Sequence, residues 1–130
     1  MKKATYVAVM TAMLSLALTT TTYANQNAQV EQMVRAYFKD APVMVKIAKC
    51  ESGFKHFDPN GPNGLNTNPD PRSSASGVFQ ILLKTHGPKA RRLGFDITTV
   101  KGQLGYARHL YKLGGTRDWK ESRSCWKRTT

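Results

Sequence analysis

The stretch KIAKCESGFKHFD, residues 46–58, ends a predicted helix with a cysteine, a glutamate and a glycine in close succession. Pro42 suits the first turn of this helix, where its missing N–H needs no partner, and Gly53 suits its end, because glycine accepts a left-handed backbone. We therefore predict a helix over 42–52 with Glu51 in its last turn. The negative end of the helix dipole and the apolar neighbours both disfavour a charge there, so we expect a raised pKa for Glu51.

Helical periodicity also predicts helices on both sides of this stretch. The apolar positions of the first helix, which should end near residues 40–41, are Val30, Met33, Val34, Tyr37 and Phe38. A short helix should begin at Pro88 and end before Gly94. Thr98 or Thr99 should cap a last long helix that ends at residues 114–115. The buried stripe of this last helix is predicted to be Val100, Leu104, Ala107, Leu110 and Tyr111.

Residues 58–77, DPNGPNGLNTNPDPRSSASG, form a predicted surface loop because they are rich in Pro, Gly, Asn and Ser and poor in apolar residues. Long ordered loops in small domains are usually functional. The loop does not match a calcium-binding loop, since Asn63 replaces the required glycine and Pro69 the required glutamate. The apolar segment GVFQILL, residues 77–83, is predicted to be extended.

The composition indicates an exported basic protein. The chain has 130 residues and a formal net charge of +12, and its first 24 residues have the charged start, apolar run and small-residue cleavage site of a signal peptide. The apolar run is too short for a comfortable membrane span. Residues 25–130 then form one mature domain with no stable membrane insertion. Its basic surface should attract polyanions, and export favours the cell wall over nucleic acid.

The two cysteines, Cys50 and Cys125, should form a disulfide in an oxidising compartment. The bridge would tie the segment that carries Glu51 to the C-terminal tail. The alternative, two free thiols, fits poorly with an export signal.

The neighbourhood of Glu51 and a later segment together resemble the lysozyme-like lytic transglycosylases. The matching pieces are residues 50–53, CESG, and residues 76–81, SGVFQI, separated by the polar loop. The stretch 94–126 also looks like small lysozyme-like domains that finish in Trp, Ser and Cys-Trp. The resemblance covers about residues 43–126. It implies an α+β, mostly α, lysozyme-like domain with a long polar loop and at most a small β element.

The resemblance also implies roles for individual residues. Glu51 matches the catalytic acid and base, Ser52 the orienting serine and Gln80 the sugar-contacting glutamine, and Ser76 opens the substrate-binding segment. The larger members carry an Ala-Tyr-Asn segment that this chain lacks. Candidates for that wall-lining role are Tyr106, Trp119 and Trp126. Tyr106 also fits the helical stripe, and Trp126 beside a cysteine fits a packing role.

The implied reaction is cleavage of the β-1,4 bond between MurNAc and GlcNAc in peptidoglycan to give 1,6-anhydromuramyl products, with one Glu acting as acid and then base. A hydrolytic lysozyme is the first alternative, and it would use Asp58 or Asp70 as a second carboxylate. Each of these could equally be a turn residue. A second alternative is a wall-binding assembly protein without turnover. Glu51 itself could also be an ordinary half-exposed helix residue that pairs with a nearby lysine.

Other functional classes receive little support. His56, His86 and His109 have no metal-ligand spacing, and we expect neither a metal nor another cofactor. The basic run at 89–92 lacks the interleaved aromatic residues of single-strand binding, so we do not expect nucleic acid as a partner. We expect a periplasmic or secreted monomer that acts on glycan strands. An envelope-spanning secretion or conjugation machine is a further candidate partner.

Overall fold

The computed structural model describes residues 22–128 of the chain. The predicted signal peptide, residues 1–24, therefore lies almost wholly outside the described residues, and only its predicted cleavage site at 22–24 falls within them. None of the helices within 22–128 combines the length and the hydropathy that a bilayer span requires.

The described chain is an α+β fold that consists mostly of helices, which confirms the predicted fold class. Helix α1 covers residues 22–37. The other helices are α2 (Pro42–Ser52), α3 (Leu83–Arg92), α4 (Val100–Gly114) and α5 (Arg123–Trp126). Strands β1 (Ala75–Ser76) and β2 (Ile81–Leu82) pair antiparallel, with Ala75 opposite Leu82 and Ser76 opposite Ile81. Short 3-10 helices cover Pro62–Gly64 and Arg117–Ser122.

Helix α1 buries a narrower stripe than its apolar pattern predicted. Val30, Val34 and Phe38 are fully enclosed, whereas Met33 and Tyr37 are each 43% exposed. The buried residues are spaced by four, so they lie on one line along the helix, and Met33 and Tyr37 lie one position to the side of it. Met33 and Tyr37 were predicted to be buried, but they lie at the edge of the stripe and remain partly exposed.

Helix α2 has the bounds that Pro42 and Gly53 predicted. Gly53 adopts a left-handed backbone with φ 61°, and its N–H reaches the carbonyl groups of the helix's last turn. Met44, Ile47 and Ala48 face the core. This packing holds the end of α2, and with it Glu51, against the rest of the domain.

Helix α3 begins five residues before the predicted start at Pro88, so that prediction was wrong. Ser74 provides the reason, because its carbonyl oxygen accepts from the Leu83 N–H at 2.9 Å and its hydroxyl accepts from the Lys84 N–H at 3.1 Å. Two N–H groups that the first turn of a helix leaves unpaired are satisfied in this way by the loop. Pro88 then lies inside the helix. The Ser74 contacts involve residues about ten positions apart, which local helix signals do not report.

The segment 77–83 is also not extended throughout, contrary to the prediction. Residues 77–80 form a turn, Ile81 and Leu82 form β2, and Leu83 already belongs to α3. The two strands and this turn make a small hairpin at the end of the polar loop. The loop gains further order from isolated bridges between Phe57 and Leu65 and between Thr67 and Ser76.

Helix α4 and the C-terminal segment complete the core. Thr99 caps α4 by accepting from the Gly102 N–H at 3.0 Å, as predicted for one of the two threonines. Leu104, Ala107 and Leu110 are buried. The predicted disulfide is present between Cys50 and Cys125, whose Cα atoms are 6.0 Å apart. It joins α2 to α5.

Candidate functional site

Glu51 lies half-buried in the last turn of α2, where the C-terminal segment passes over it. The Ser122 hydroxyl, from the 3-10 helix Arg117–Ser122, donates a hydrogen bond to Glu51 Oε1. Burial raises the pKa of Glu51 above its ordinary value, and the hydrogen bond from Ser122 offsets part of this rise because it stabilises the carboxylate. The pKa of Glu51 is thus raised, as its position in the helix predicted.

Ser122 has the geometry to serve both protonation states of Glu51. Its Oγ also lies 3.2 Å from the carbonyl oxygen of Trp119. When Glu51 is ionised, the hydroxyl donates to the carboxylate. When Glu51 is protonated, the carboxylic acid can donate to Oγ while the hydroxyl turns to the Trp119 carbonyl. Among the hydrogen bonds of the described residues, Ser122 is the partner of the Glu51 carboxyl group, and sequence patterns did not point to it.

Ser52 connects the end of α2 to the hairpin. Its hydroxyl donates to the Val78 carbonyl oxygen at 2.7 Å and lies 3.3 Å from the Ala48 carbonyl oxygen. The serine therefore fixes the position of the helix end against the turn 77–80. This contact brings the Glu51 end of α2 next to the segment that carries Gln80, and the orienting role implied for Ser52 stays a prediction.

The hairpin turn has an unusual backbone at both ends. Gly77 has φ 74° and Gln80 has φ 49°, a left-handed conformation that is uncommon for a residue with a side chain. Gln80 is half-buried, and its side-chain amide donates to the Gly77 carbonyl oxygen at 3.0 Å. This internal bond uses one amide hydrogen and leaves the amide oxygen as an acceptor.

A small hollow of about 60 Å³ opens beside Gln80. Its walls include His86 and Asp118 as well as the buried ring of Trp119. Asp118 belongs to the same 3-10 helix as Ser122. The C-terminal segment therefore contributes side chains both to Glu51 and to the surroundings of Gln80, and the sequence had not assigned a polar role to either Asp118 or Ser122.

The side chain of Gln103 hydrogen-bonds to the hairpin, and the sequence did not predict this contact. It is fully buried, its amide nitrogen donates to the carbonyl groups of Ser76 (2.8 Å) and Ile97 (3.0 Å), and its amide oxygen accepts from the Phe79 N–H (3.0 Å). A Cβ atom at Gly77 would lie 2.5 Å from the Gln103 amide nitrogen, so only glycine fits there. One indication of this role was present in the sequence, because Gln103 is a polar residue within the apolar stripe of α4.

Two residues predicted to contact substrate are fully buried. Tyr106 is enclosed by the core, and its hydroxyl lies 2.9 Å from Nδ1 of His86. Ser76 is in β1, and its hydroxyl donates to the Ser74 carbonyl oxygen at 3.2 Å. Neither side chain presents a surface to a ligand, and this differs from the predicted roles. Tyr106 instead fits the alternative interpretation as part of the helical stripe.

The two tryptophans are also buried and stabilise the C-terminal segment. The Trp119 indole N–H donates to the Phe79 carbonyl oxygen at 3.1 Å, and the Trp126 indole N–H donates to the Trp119 carbonyl oxygen at 3.1 Å. This chain of bonds links α5, the 3-10 helix and the hairpin. Both rings therefore have a packing role, as expected for Trp126 beside the disulfide.

The two candidate second carboxylates are each engaged in turns of the polar loop. Asp58 accepts a hydrogen bond from the Asn60 N–H at 2.9 Å. Asp70 accepts from the Arg72 N–H at 3.0 Å and pairs with the Arg72 guanidinium at 2.9 Å, and this guanidinium lowers the pKa of Asp70. Such bonds are typical of Asx turns. The structure thus agrees with the alternative interpretation of both residues as turn formers.

His56 lies apart from the other two histidines, which both contact Tyr106. His56 is buried, with Nε2 2.9 Å from the Thr98 carbonyl oxygen, and burial lowers its pKa. His86 bonds to Tyr106, and His109 stacks on the Tyr106 ring. Within residues 22–128, no three His, Cys, Asp or Glu side chains are close enough together to hold a metal ion.

Comparison with known proteins adds no relative to this picture. The chain matched no protein-family model, no curated protein and no solved structure.

Proposed function

We propose that this protein cleaves the glycan strands of peptidoglycan as a lytic transglycosylase, with Glu51 as the single acid and base. One observation carries the proposal: Glu51 is a half-buried carboxyl group with a raised pKa, and a hydroxyl beside it can hydrogen-bond to both of its protonation states. A group with these properties can deliver a proton and then recover one.

The reaction uses one proton in a closed cycle. Glu51 protonates the oxygen between MurNAc C1 and the GlcNAc leaving group, and the C1–O bond breaks to leave an oxocarbenium-like centre. The resulting carboxylate then takes the proton of the muramyl 6-hydroxyl as O6 attacks C1. The products are a 1,6-anhydromuramyl end and a free GlcNAc 4-hydroxyl, and Glu51 is again protonated. Water in place of the 6-hydroxyl would give hydrolysis instead.

Three other features support this function. Ser52 and Gln103 hold the hairpin against the catalytic end of α2, and the amide oxygen of the half-buried Gln80 could accept from a sugar hydroxyl or N-acetyl group. The disulfide fits export to the periplasm or the exterior, where peptidoglycan is found. The excess of basic residues favours association with an anionic wall.

The test is to incubate the purified, oxidised mature domain with peptidoglycan and to resolve the released sugars by mass. We expect anhydromuropeptides, which are lighter by one water than hydrolysis products. Reducing ends would move the assignment to a lysozyme. Tight binding to peptidoglycan without any release of sugar would instead identify a wall-binding protein, and the catalytic proposal would be wrong.

A further inference from the structure

A second candidate site lies on the C-terminal segment, in an open hollow of about 480 Å³. Four cations line it: Arg117, Lys120, Arg123 and Lys127. They alternate along the chain with the residues that face the candidate active site. Ser122 contacts Glu51, and Asp118 lines the small hollow beside Gln80. The cations of this segment therefore line one hollow, and its Asp118 lines another.

The four cations have no anionic partner within the described part of the chain. The ion pairs found among residues 22–128 use the guanidinium groups of Arg35, Arg72 and Arg108. The four side chains are exposed, and Asp118 and Glu121 of the same segment offset part of their charge without forming an ion pair with them, so the hollow keeps a net positive lining. A bound anion would offset the remaining positive charge, so the charge arrangement itself favours an anionic ligand.

The exposed side chain of Arg117 packs beside Gly114, at the end of α4. A Cβ atom at Gly114 would lie 2.8 Å from Nη2 and 2.9 Å from Cζ of Arg117, so the guanidinium packs where a larger residue would have its side chain. This position is at the C-terminal end of α4, where the helix dipole stabilises a cation. The planar guanidinium presents paired N–H donors suited to two oxygens of one anion.

We infer that this hollow binds a phosphate group. Two guanidinium and two ammonium groups match a tetrahedral anion that carries up to two charges and several acceptor oxygens better than they match a single carboxylate. The cations line one open hollow and do not form a long stripe, which fits a compact group. The inference depends on these charges and not on the proposed glycan cleavage. A soluble phosphate compound and a phospholipid headgroup are the two sources of such a group.

The test measures binding of pyrophosphate to the oxidised protein by calorimetry in a phosphate-free buffer. The triple variant Arg117→Gln/Lys120→Gln/Arg123→Gln should bind at least ~10-fold more weakly. The matched control Lys84→Gln/Arg91→Gln/Arg92→Gln removes the same charges from exposed positions on α3, and its affinity should stay within about twofold of the wild type. Gly114→Ala should weaken binding less than the triple variant and without a change in charge, because the added methyl requires the Arg117 guanidinium to shift.

Several results would overturn the inference. Equal losses in the triple variant and its control would mean that net charge alone attracts pyrophosphate. Unchanged affinity in Gly114→Ala would show that the packed guanidinium does not hold the anion. A parallel arm uses phosphatidylcholine vesicles with and without phosphatidylglycerol. Binding to the anionic vesicles without any binding of pyrophosphate would replace the phosphate site with a general membrane-surface attraction. Binding of both, lost together in the triple variant, would support the site and identify the lipid headgroup as one source.

Discussion

Glu51→Gln should lower the initial rate of glycan release by ~10²- to 10⁴-fold, the usual contribution of a positioned general acid or base. Glutamine nearly matches glutamate in shape and can still accept the hydrogen bond from Ser122. It has no proton to donate to the glycosidic oxygen. The measurement compares initial rates of sugar release by wild type and variant from the same peptidoglycan preparation.

Glu121→Gln is the matched control for this prediction. Glu121 is an exposed glutamate on the same 3-10 helix, next to Ser122, so its replacement makes the same chemical change beside the site. We expect its rate to equal that of the wild type. A rate for Glu51→Gln within about tenfold of the wild type would contradict the catalytic role.

We expect Glu51→Gln to keep its fold at neutral pH, and a comparison of urea unfolding with that of the wild type checks this. The pKa of Glu51 is raised in the folded protein, so ionisation of this group favours the unfolded state. Its contribution is lost as the pH rises from the unfolded pKa through the folded pKa. A neutral glutamine avoids this loss, and the variant should be at least as stable as the wild type at neutral pH.

Removal of the disulfide by Cys50→Ala/Cys125→Ala should lower the free energy of unfolding by about 2–5 kcal/mol. The bridge spans a sequence separation of 75 residues, for which loop entropy alone suggests about 4.5 kcal/mol. Urea unfolding of the oxidised wild type and the variant measures the difference. Glycan release should also fall, since Cys125 lies three residues after Ser122 and the bridge keeps this segment over Glu51.

Reduction of the wild type provides an independent form of the same experiment. It breaks the Cys50–Cys125 bond without changing any side chain in the core, so its loss of stability should be close to that of the double variant. A difference of less than about 0.5 kcal/mol between the oxidised and reduced wild type would show that the bridge does not stabilise the fold.

Features governed by neighbouring residues were predictable from the sequence. Pro42 and Gly53 defined α2, Thr99 capped α4, and the two cysteines paired. These features depend on backbone preferences within one turn or on the absence of any alternative thiol. They were sufficient to place Glu51 at the end of a helix that is joined to the C-terminal tail.

Features that depend on distant contacts were not predictable. Helix α3 starts earlier than predicted because the hydroxyl and carbonyl groups of Ser74 pair with N–H groups that come after the hairpin. Ser122 contacts Glu51 from 71 residues away, and Gln103 bonds to the hairpin across more than 20 residues. No local pattern encodes such pairings. Only the polar character of Gln103 within the apolar stripe gave an indication.

The proposed chemistry depends on the carboxyl group of Glu51. Burial raises the pKa of this group, and the hydrogen bond from Ser122 offsets part of the rise. We would titrate the carboxyl carbon of Glu51 by NMR in the oxidised protein, with Glu51→Gln to assign the signal. The midpoint should lie above the ordinary value for glutamate and should rise further in Ser122→Ala, because that variant loses the bond that stabilises the carboxylate. A midpoint at or below the ordinary value, unaffected by Ser122→Ala, would contradict this account of the site.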